Sequence, residues 1–369
     1  MDFTFAQEQE DLRDAVRSFL RKRAGADARR ELLHTGYAFD REVWRSMARD
    51  LGLQTLTVPE ERGGSGAGFL ESMIVFEEMG RELFSGPFFS TVLATWVLDA
   101  SASDAANTAL QQVADGDLVL TAAIADESGT WSAPGTATRA VATPDGHRVT
   151  GAKARVTDLP VADAFVVWAQ TAEGPSWFLA PAGADGVEAI AEESLDLARP
   201  IGTLRLTDTP ATLIVGPGQA AAVRESVDTR ACVALAAELV GTAQAALDQS
   251  VEWSKSRHQF GRPIGSFQAL KHLCADALVE VEAARVLTHY AAWAIAAGQA
   301  EAPVLASMAK QAAADAAAQA AGNNIQIHGG IGATWEHEAH LWLRRAKASG
   351  ALFGSPRQHR ARISDLLSA

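Results

Sequence analysis

The most constraining feature of this 369-residue chain is one long break in its helical patterning. Apolar residues recur at helical spacing up to about residue 116 and again from about residue 220. Between these regions, short β-type runs alternate with glycine and proline turn signals. The runs are 118–124, 139–143, 148–157, 164–169, 177–180, 203–207 and 211–215. This order predicts a helical part, then a compact all-β module (a barrel or a sandwich), then a second helical part.

The last part is predicted to form four long helices, at about 220–256, 267–298, 303–327 and 337–351. All four are rich in alanine, which favours helix formation and allows helices to pack closely. No GxGxxG follows a predicted strand, so a doubly wound nucleotide-binding domain is not expected.

The composition narrows the class of protein. With 32 Lys and Arg against 45 Asp and Glu, the net charge is −13, which disfavours nucleic acid as a partner. Hydrophobic residues make up 48% and charged residues 21%, a globular balance. No secretory signal and no run of 18 apolar residues is readable, so neither secretion nor a membrane span is expected. The two cysteines, Cys232 and Cys274, are interpreted as reduced thiols of a cytoplasmic protein.

Residues 256–268 form the first segment with chemical potential. A long helix ends there, Gly and Pro turn the chain, and Phe267 and Gln268 begin the next helix. Arg257 at the helix end could clamp a pyrophosphate bidentately, and Gln268 could fix a second polar group. On spacing alone two simpler interpretations stay open, Arg257 as a surface ion pair and Phe260 as a core residue.

Residues 326–338 form the second such segment. Gly329, Gly330 and Gly332 end a helix and allow the backbone to approach a ligand closely. Glu336 follows beside Trp335, and a carboxylate against an aromatic wall has a raised pKa that suits proton abstraction. The alternative is a solvated acid after a helix cap.

The same segment contains the order His-Glu-Ala-His at residues 337–340. This is one residue short of the zinc-binding HExxH spacing, so no metal site is predicted.

Together these segments resemble the acyl-CoA dehydrogenase family of flavoproteins. The matching residues follow the family's order over essentially the whole chain. They are Trp44, Gly52, Pro59-Glu60, Gly63-Gly64, Gly151, Lys153, Thr157, Ala162-Asp163, the segment 257–264, the segment 326–330 and Gly332. The resemblance implies an α+β fold with an N-terminal helical domain (1–116), a central β-barrel-like domain (117–219) and a C-terminal four-helix bundle (220–369).

The resemblance also implies FAD as the cofactor and assigns site residues. Arg257 is expected to meet the pyrophosphate of a flavin bound mainly by the neighbouring subunit. Glu336 falls on the catalytic base of the medium-chain type, whereas Ala231 stands where some relatives place that base. The other residues expected to bind cofactor are Gln259, Phe260, Phe267, Gln268, Gln326, Gly329, Gly330, Thr157 and Glu338.

The implied reaction is the α,β-dehydrogenation of an acyl-CoA to a trans-2-enoyl-CoA. Glu336 would take the α-proton, hydride would pass to flavin N5, and a backbone N–H of Glu336 would help to bind the thioester carbonyl. Electrons would leave to an electron-transfer flavoprotein. The implied assembly is a homotetramer, or a heterotetramer with a homologous subunit.

Three departures from the family pattern support a different role. The strand with Thr-Glu-Pro and Gly-Ser-Asp is reduced to residues 125–130, Arg155 replaces the tryptophan beside the flavin, and Cys232 replaces an arginine. The alternative is therefore a non-catalytic or flavin-completing subunit of a heteromeric dehydrogenase. An acyl-carrier-protein dehydrogenase or a flavin oxidase of the same fold is a third possibility.

Overall fold

The computed structural model describes residues 5–35, 37, 39–127, 131 and 136–368. The end of the reduced strand, Ser128-Gly129-Thr130, and the predicted turn at Gly135 lie outside the described residues. The first part is helical, as predicted. Its helices are α1 (Gln7–Arg23), α2 (Ala26–Thr35), α3 (Arg41–Leu51), α4 (Phe69–Arg81), α5 (Phe88–Asp99) and α6 (Asp104–Ala114).

Local sequence signals set the bounds of α3. The Asp40 carboxylate accepts the backbone N–H groups of Glu42 and Val43, which caps the start of the helix. Gly52, at φ 62°, ends it in the left-handed conformation. In contrast, α5 is buried on all sides from Phe88 to Leu98, so it is an interior helix of this part.

Among the described residues, seven strands form the middle part. They are β1 (Leu120–Ala123), β2 (Arg139–Thr143), β3 (Gly146–Thr157), β4 (Ala164–Gln170), β5 (Pro175–Pro181), β6 (Val187–Glu192) and β7 (Ile201–Val215). Strands β4, β5, β7, β3 and β2 pair in sequence, and β2 returns to β4, which closes a ring. The β-barrel-like prediction is therefore confirmed.

Two details of the predicted strands are wrong. The runs at 203–207 and 211–215 are one strand, β7, because Thr209 and Pro210 stay in register with β3 despite the turn-like sequence. Strand β6 was not predicted. It has no fully buried face, so it lacks the apolar alternation by which a half-buried strand is recognised.

The third part contains the four predicted helices and one more. They are α7 (Pro217–Ser256), α8 (Gln268–Ala296), α9 (Ala302–His328), α10 (Ala339–Ala351) and α11 (Pro356–Ser368), with a hairpin of β8 (His258–Gln259) and β9 (Arg262–Pro263) between α7 and α8. Helix α11 was missed because His359 is its one buried residue among those described.

Helix α7 forms the spine of the molecule. It is long and apolar enough to cross a membrane, but 89% of its apolar window is buried inside the fold, as expected of a core helix. It crosses α4 at two glycines. A Cβ on Gly80 would lie 1.9 Å from the Glu238 carbonyl oxygen, and one on Gly241 would lie 1.9 Å from that of Glu77. The close crossing therefore requires glycine at both positions.

Buried charges join the barrel to α7 and α10. Arg199, just before β7, pairs with Glu238 of α7, and Arg345 of α10 pairs with Asp196. The Ser349 hydroxyl donates to the Glu238 carboxylate at 2.9 Å. Because burial removes these groups from water, their mutual pairing fixes how the barrel sits on the helices.

Candidate functional site

The β8–β9 hairpin carries the first predicted segment away from the body of the protein. His258 and Gln259 pair with Pro263 and Arg262, and the turn between them is Phe260 at φ 55° and Gly261 at φ 77°. Two successive positive φ angles are typical of a two-residue type I′ turn, which costs a phenylalanine on the order of 1 kcal/mol. Phe260 is nevertheless 89% exposed, so its interpretation as a core residue is wrong.

Two polar side chains that flank this hairpin lack partners within the described part of the chain. Neither the Arg257 guanidinium nor the Gln268 amide makes a hydrogen bond or ion pair with the described residues, and both are exposed. The guanidinium of Arg262 lies 4.1 Å from the ring centre of Phe267, which orders the base of the hairpin. The surface ion pair suggested for Arg257 is thus not formed within the described part of this chain.

The glycines of the loop that follows α9 have different surroundings. A Cβ on Gly332 would lie 2.8 Å from His328 Cβ, so this glycine is needed for packing. A Cβ on Gly329 or Gly330 would meet nothing within 4 Å, so packing does not explain them. With Gly329 at φ 69° and ψ −146°, the loop presents bare backbone beside the exposed Gln326.

The hairpin and the glycine loop share one end of the bundle. Trp253, one helical turn before Arg257, stacks on His328 with ring centres 4.6 Å apart. The ring centres of His337 and His328 are 4.5 Å apart. Burial lowers the pKa of His328. The contact of its Nδ1 with the Asn324 carbonyl oxygen, at 2.8 Å, raises the pKa but does not outweigh burial. The structure therefore brings Arg257 and the glycines to one end of the bundle.

Thr157 is at a different place. It ends β3, is buried, and its carbonyl accepts the Thr121 hydroxyl at 2.7 Å. Its neighbour Asp158 donates its N–H to Pro200, next to the Arg199 that pairs with Glu238. From Glu238 to Arg257, α7 rises about 28 Å at 1.5 Å per residue. Thr157 and Arg257 of one chain are thus far beyond hydrogen-bonding reach of each other.

Two acids of the second predicted segment have different surroundings. Glu336 is exposed, and Trp335 is 54% exposed with its ring edge-on to His340. This is the environment of a solvated acid after a helix cap. Glu338, assigned to the cofactor, accepts Arg29 Nε at 3.0 Å and so ties α10 to α2.

The reduced strand has an ion pair that sequence reasoning missed. Lys153 Nζ lies 2.6 Å from the Asp126 carboxylate and 2.7 Å from Thr136 Oγ1. Burial lowers the pKa of Lys153 to about 8. Burial alone would raise the pKa of Asp126, but the hydrogen bond from Lys153 holds it below its usual range. Asp126 is thus an acid of the reduced strand, and its ion pair with Lys153 ties this strand to β3.

A cleft lies where the barrel meets α7 and α11, and aromatic rings fill one side of it. Trp131 stacks on Phe353, while Arg224 donates to the Trp131 carbonyl and to both Asp228 oxygens. A cavity of about 460 Å³ remains, lined in part by Asp228 and Phe353. Burial is the main reason that the pKa of Asp228 is raised. Ala231, one turn after Asp228, is fully buried.

Comparison with known proteins identifies the family. The profile for the acyl-CoA dehydrogenase N-terminal domain matches residues 6–117, and that for the C-terminal domain matches residues 221–367. The chain belongs to the acyl-CoA dehydrogenase family. It is 34% identical to acyl-CoA dehydrogenase IpdE2 of Mycobacterium tuberculosis over 95% of each chain.

Solved structures of acyl-CoA dehydrogenases share the whole fold. The ChsE4–ChsE5 complex from Mycobacterium tuberculosis has a chain that is 31% identical, with a TM-score of 0.89 and coverage of 100% of this chain and 99% of that one. The glutaryl-coenzyme A dehydrogenase glutaryl-CoA complex is 27% identical, with a TM-score of 0.93 and coverage of 100% and 97%. The α+β architecture inferred from sequence is confirmed.

Acyl-CoA dehydrogenases are FAD-dependent oxidoreductases, so the enzyme class and the cofactor are confirmed. The residues present here fit the cofactor. Arg257 offers an unpaired guanidinium for a pyrophosphate, and Gly329 and Gly330 leave open space along the backbone. The exposed amides of Gln268 and Gln326 are available for other polar groups. The described residues contain no cluster of side chains suited to a metal ion.

Proposed function

We propose that this chain takes part in the dehydrogenation of an acyl-CoA thioester as a subunit whose Arg257 hairpin completes the flavin site of a neighbouring homologous chain. The observation that carries the proposal is the separation of Thr157 from Arg257 within one chain. A flavin held at the barrel of one subunit meets the hairpin and glycine loop of another. The hairpin's exposed Phe260 ring would be buried by that contact.

Each residue at the shared end has a distinct task. Arg257 neutralises the pyrophosphate charge through paired N–H groups. Gln259, Phe267 and Gln268 line the hairpin side, while Gln326, Gly329 and Gly330 allow the adenosine half to lie against backbone. When bound, FAD supplies the hydride acceptor for the reaction.

The surface of α8 supports an assembly of two or more chains. Leu278, Val279 and Val286 are exposed on this helix, which begins directly after the hairpin. Large apolar side chains exposed on one helix are typical of an interface between proteins. We propose a tetramer, and a homologous second chain as the partner, because a neighbour of known structure is the ChsE4–ChsE5 complex.

We assign the proton-accepting carboxylate to that partner. Ala231 is buried and carries no base, and Glu336 is exposed to solvent. The second candidate is Glu336 in this chain, favoured by its place six residues after Gly330. In that case Glu336 takes the α-proton as the β-hydrogen leaves as hydride, and its backbone N–H binds the thioester carbonyl.

Electron-transfer flavoprotein is the proposed electron acceptor, and the cytoplasm the proposed location. Hydrogen peroxide formed at the full turnover rate would instead assign the protein to the flavin oxidases. A preference for acyl-carrier-protein thioesters over acyl-CoA would likewise replace the proposed substrate.

The proposed function is tested by producing the chain alone and together with any homologue encoded beside it. Flavin per chain is measured after gel filtration, and flavin bleaching by acyl-CoA is measured without oxygen. We expect stoichiometric flavin and bleaching only in the assembly. A stable monomer that holds one FAD and bleaches would contradict the shared site.

A further inference from the structure

A second cavity lies on α7 about 40 Å from Arg257, at 1.5 Å of helix rise per residue. It has a volume of about 370 Å³ and sits between the first third of α7 and the turn that joins α8 to α9. Ser226, Thr229 and Arg230 line it from α7, and Gln299 lines it from the turn. Glu225 stands exposed at its rim. None of these residues has a role in the proposed dehydrogenation.

Arg230 is the unusual member of this cavity. Its Nε atom is buried, and its guanidinium forms no hydrogen bond or ion pair with any residue that the structure describes. The group lies 6.0 Å from the ring centre of Trp96. Burial lowers the pKa of Arg230, although the more distant Asp99 opposes this.

Asp99 does not satisfy Arg230, because it already has a partner. Its carboxylate accepts Arg62 Nη1 at 2.9 Å, and the same Arg62 also donates to the Asp99 carbonyl. Arg230 is therefore a partly desolvated cation whose charge is compensated only at a distance. Arg230 is only half-buried, so a ligand that enters the cavity can reach it, and a bound anion would compensate its charge at close range.

The groups around Arg230 are suited to an oxyanion. A guanidinium presents N–H donors in a fork that matches the two oxygens of a carboxylate or phosphoryl group. The hydroxyls of Ser226 and Thr229, four and one residues before Arg230, supply further donors on the same wall. The Gln299 amide can donate from the opposite side. Glu225 at the rim disfavours large polyanions and leaves room for a single small group.

We propose that this cavity binds a carboxylate or phosphoryl group of a small metabolite, with Arg230 as the main anchor. The cavity is lined within one chain and is separate from the Arg257 hairpin and the glycine loop. It would regulate or stabilise the enzyme rather than take part in hydride transfer.

The test uses the flavin-loaded protein in its native assembly. Binding of inorganic phosphate, pyrophosphate, acetate and succinate is measured by calorimetry at fixed ionic strength. We expect at least one probe to bind, and Arg230→Gln to weaken it tenfold or more. The phosphate and carboxylate arms identify which oxyanion the cavity prefers. Arg205→Gln is the matched control, because Arg205 is exposed and distant, paired with Glu188 at 3.8 Å.

A second measurement separates binding from folding. Because Arg230 lacks a close counter-ion, Arg230→Gln should keep or raise the melting temperature without added anion. The variant should also lose the rise in melting temperature that the bound anion causes in the wild type. Arg230→Lys keeps the charge without the fork and should bind with intermediate affinity. Equal anion effects in wild type and Arg230→Gln, or no binding of any probe, would overturn the proposal.

Discussion

The indole ring of Trp131 stacks on the phenyl ring of Phe353 with centres 4.4 Å apart and planes inclined by 27°. Phe89 of α5 packs edge-on against the same phenyl ring at 6.0 Å. Residues from all three parts of the chain therefore meet in one aromatic contact. It borders the cavity of about 460 Å³ between α7 and α11.

Replacing Trp131 with alanine should open this cleft. Removal of a half-buried indole is expected to cost about 2 kcal/mol of unfolding free energy, less than for a fully buried ring. The space created should bind short apolar thioesters or indole, detected by calorimetry and by a rise in melting temperature. Trp335→Ala, which removes a more exposed ring, should change stability by less than about 1 kcal/mol and create no such binding. Trp131→Ala with no gain in ligand binding would show that the indole does not block a binding site.

Arg257→Ala should release flavin without unfolding the protein. A charge-assisted bidentate contact contributes roughly 1.5–3 kcal/mol, so flavin affinity should fall about 10- to 100-fold. The measurement is the ratio of flavin to protein absorbance after dialysis. Lys255→Ala, two residues earlier and paired with Glu252, is the control and should retain flavin. Full retention of flavin by Arg257→Ala would remove this residue from the shared site.

Glu336→Gln decides between the two candidates for the base. If the partner supplies the carboxylate, the assembly containing this variant should bleach its flavin at the wild-type rate. A general base contributes roughly 10²- to 10⁴-fold, so a loss of that size would instead assign the proton transfer to Glu336. Substrate binding is measured separately, so that a change in affinity is not mistaken for lost basicity.

The free energy of unfolding should depend on pH through the protonation of the Asp158 carboxylate. Two arginines, Arg199 and Arg345, are already matched by Glu238 and Asp196, whereas one oxygen of Asp158 has no hydrogen-bond partner among the described residues. Burial raises the pKa of Asp158 to about 7 from an ordinary 3.8.

The folded state therefore holds this proton more tightly than the unfolded state does. The contribution to stability is fully present below pH 3.8 and is lost as the pH rises through 7, by at most roughly 4 kcal/mol. Asp158→Asn mimics the protonated form and should remove this loss. Chemical unfolding at pH 5.5 and 8.5 should show the variant gaining a further ~2 kcal/mol on the wild type between the lower and the higher pH. A constant difference between the two would contradict the assignment.

Gly241→Ala should destabilise the crossing of α4 and α7. The added methyl group would lie 1.9 Å from the Glu77 carbonyl oxygen, so the two helices must separate. A loss of roughly 3 kcal/mol or more is expected, at the upper end of overpacking effects. Gly322→Ala is the matched control within α9, where the methyl group meets nothing within 4 Å. It should stabilise the protein by up to about 1 kcal/mol through helix propensity.

The parts of this structure that depend on local sequence were predictable. Helical and strand periods gave the order of the three parts, and glycine and proline marked the hairpin after Arg257. Features that depend on distant pairing were not predictable. Trp131 and Phe353 are separated by more than half the chain, and no local pattern indicates that their rings stack. The exposure of Glu336 also depends on how α10 packs, which the residues beside it do not reveal.

Strand β6 lies outside the ring of five strands, and its free edge affects how this protein avoids misassembly. Within the described sheet, β6 pairs with β7 alone, so its other side offers unpaired backbone groups to any extended chain. Glu188 and Glu192 are exposed on this short strand. A second barrel docking edge to edge would bring its own copies of these carboxylates close to them, and like charges repel. Aggregation through the barrel is thereby discouraged, and association is directed to the helical surfaces.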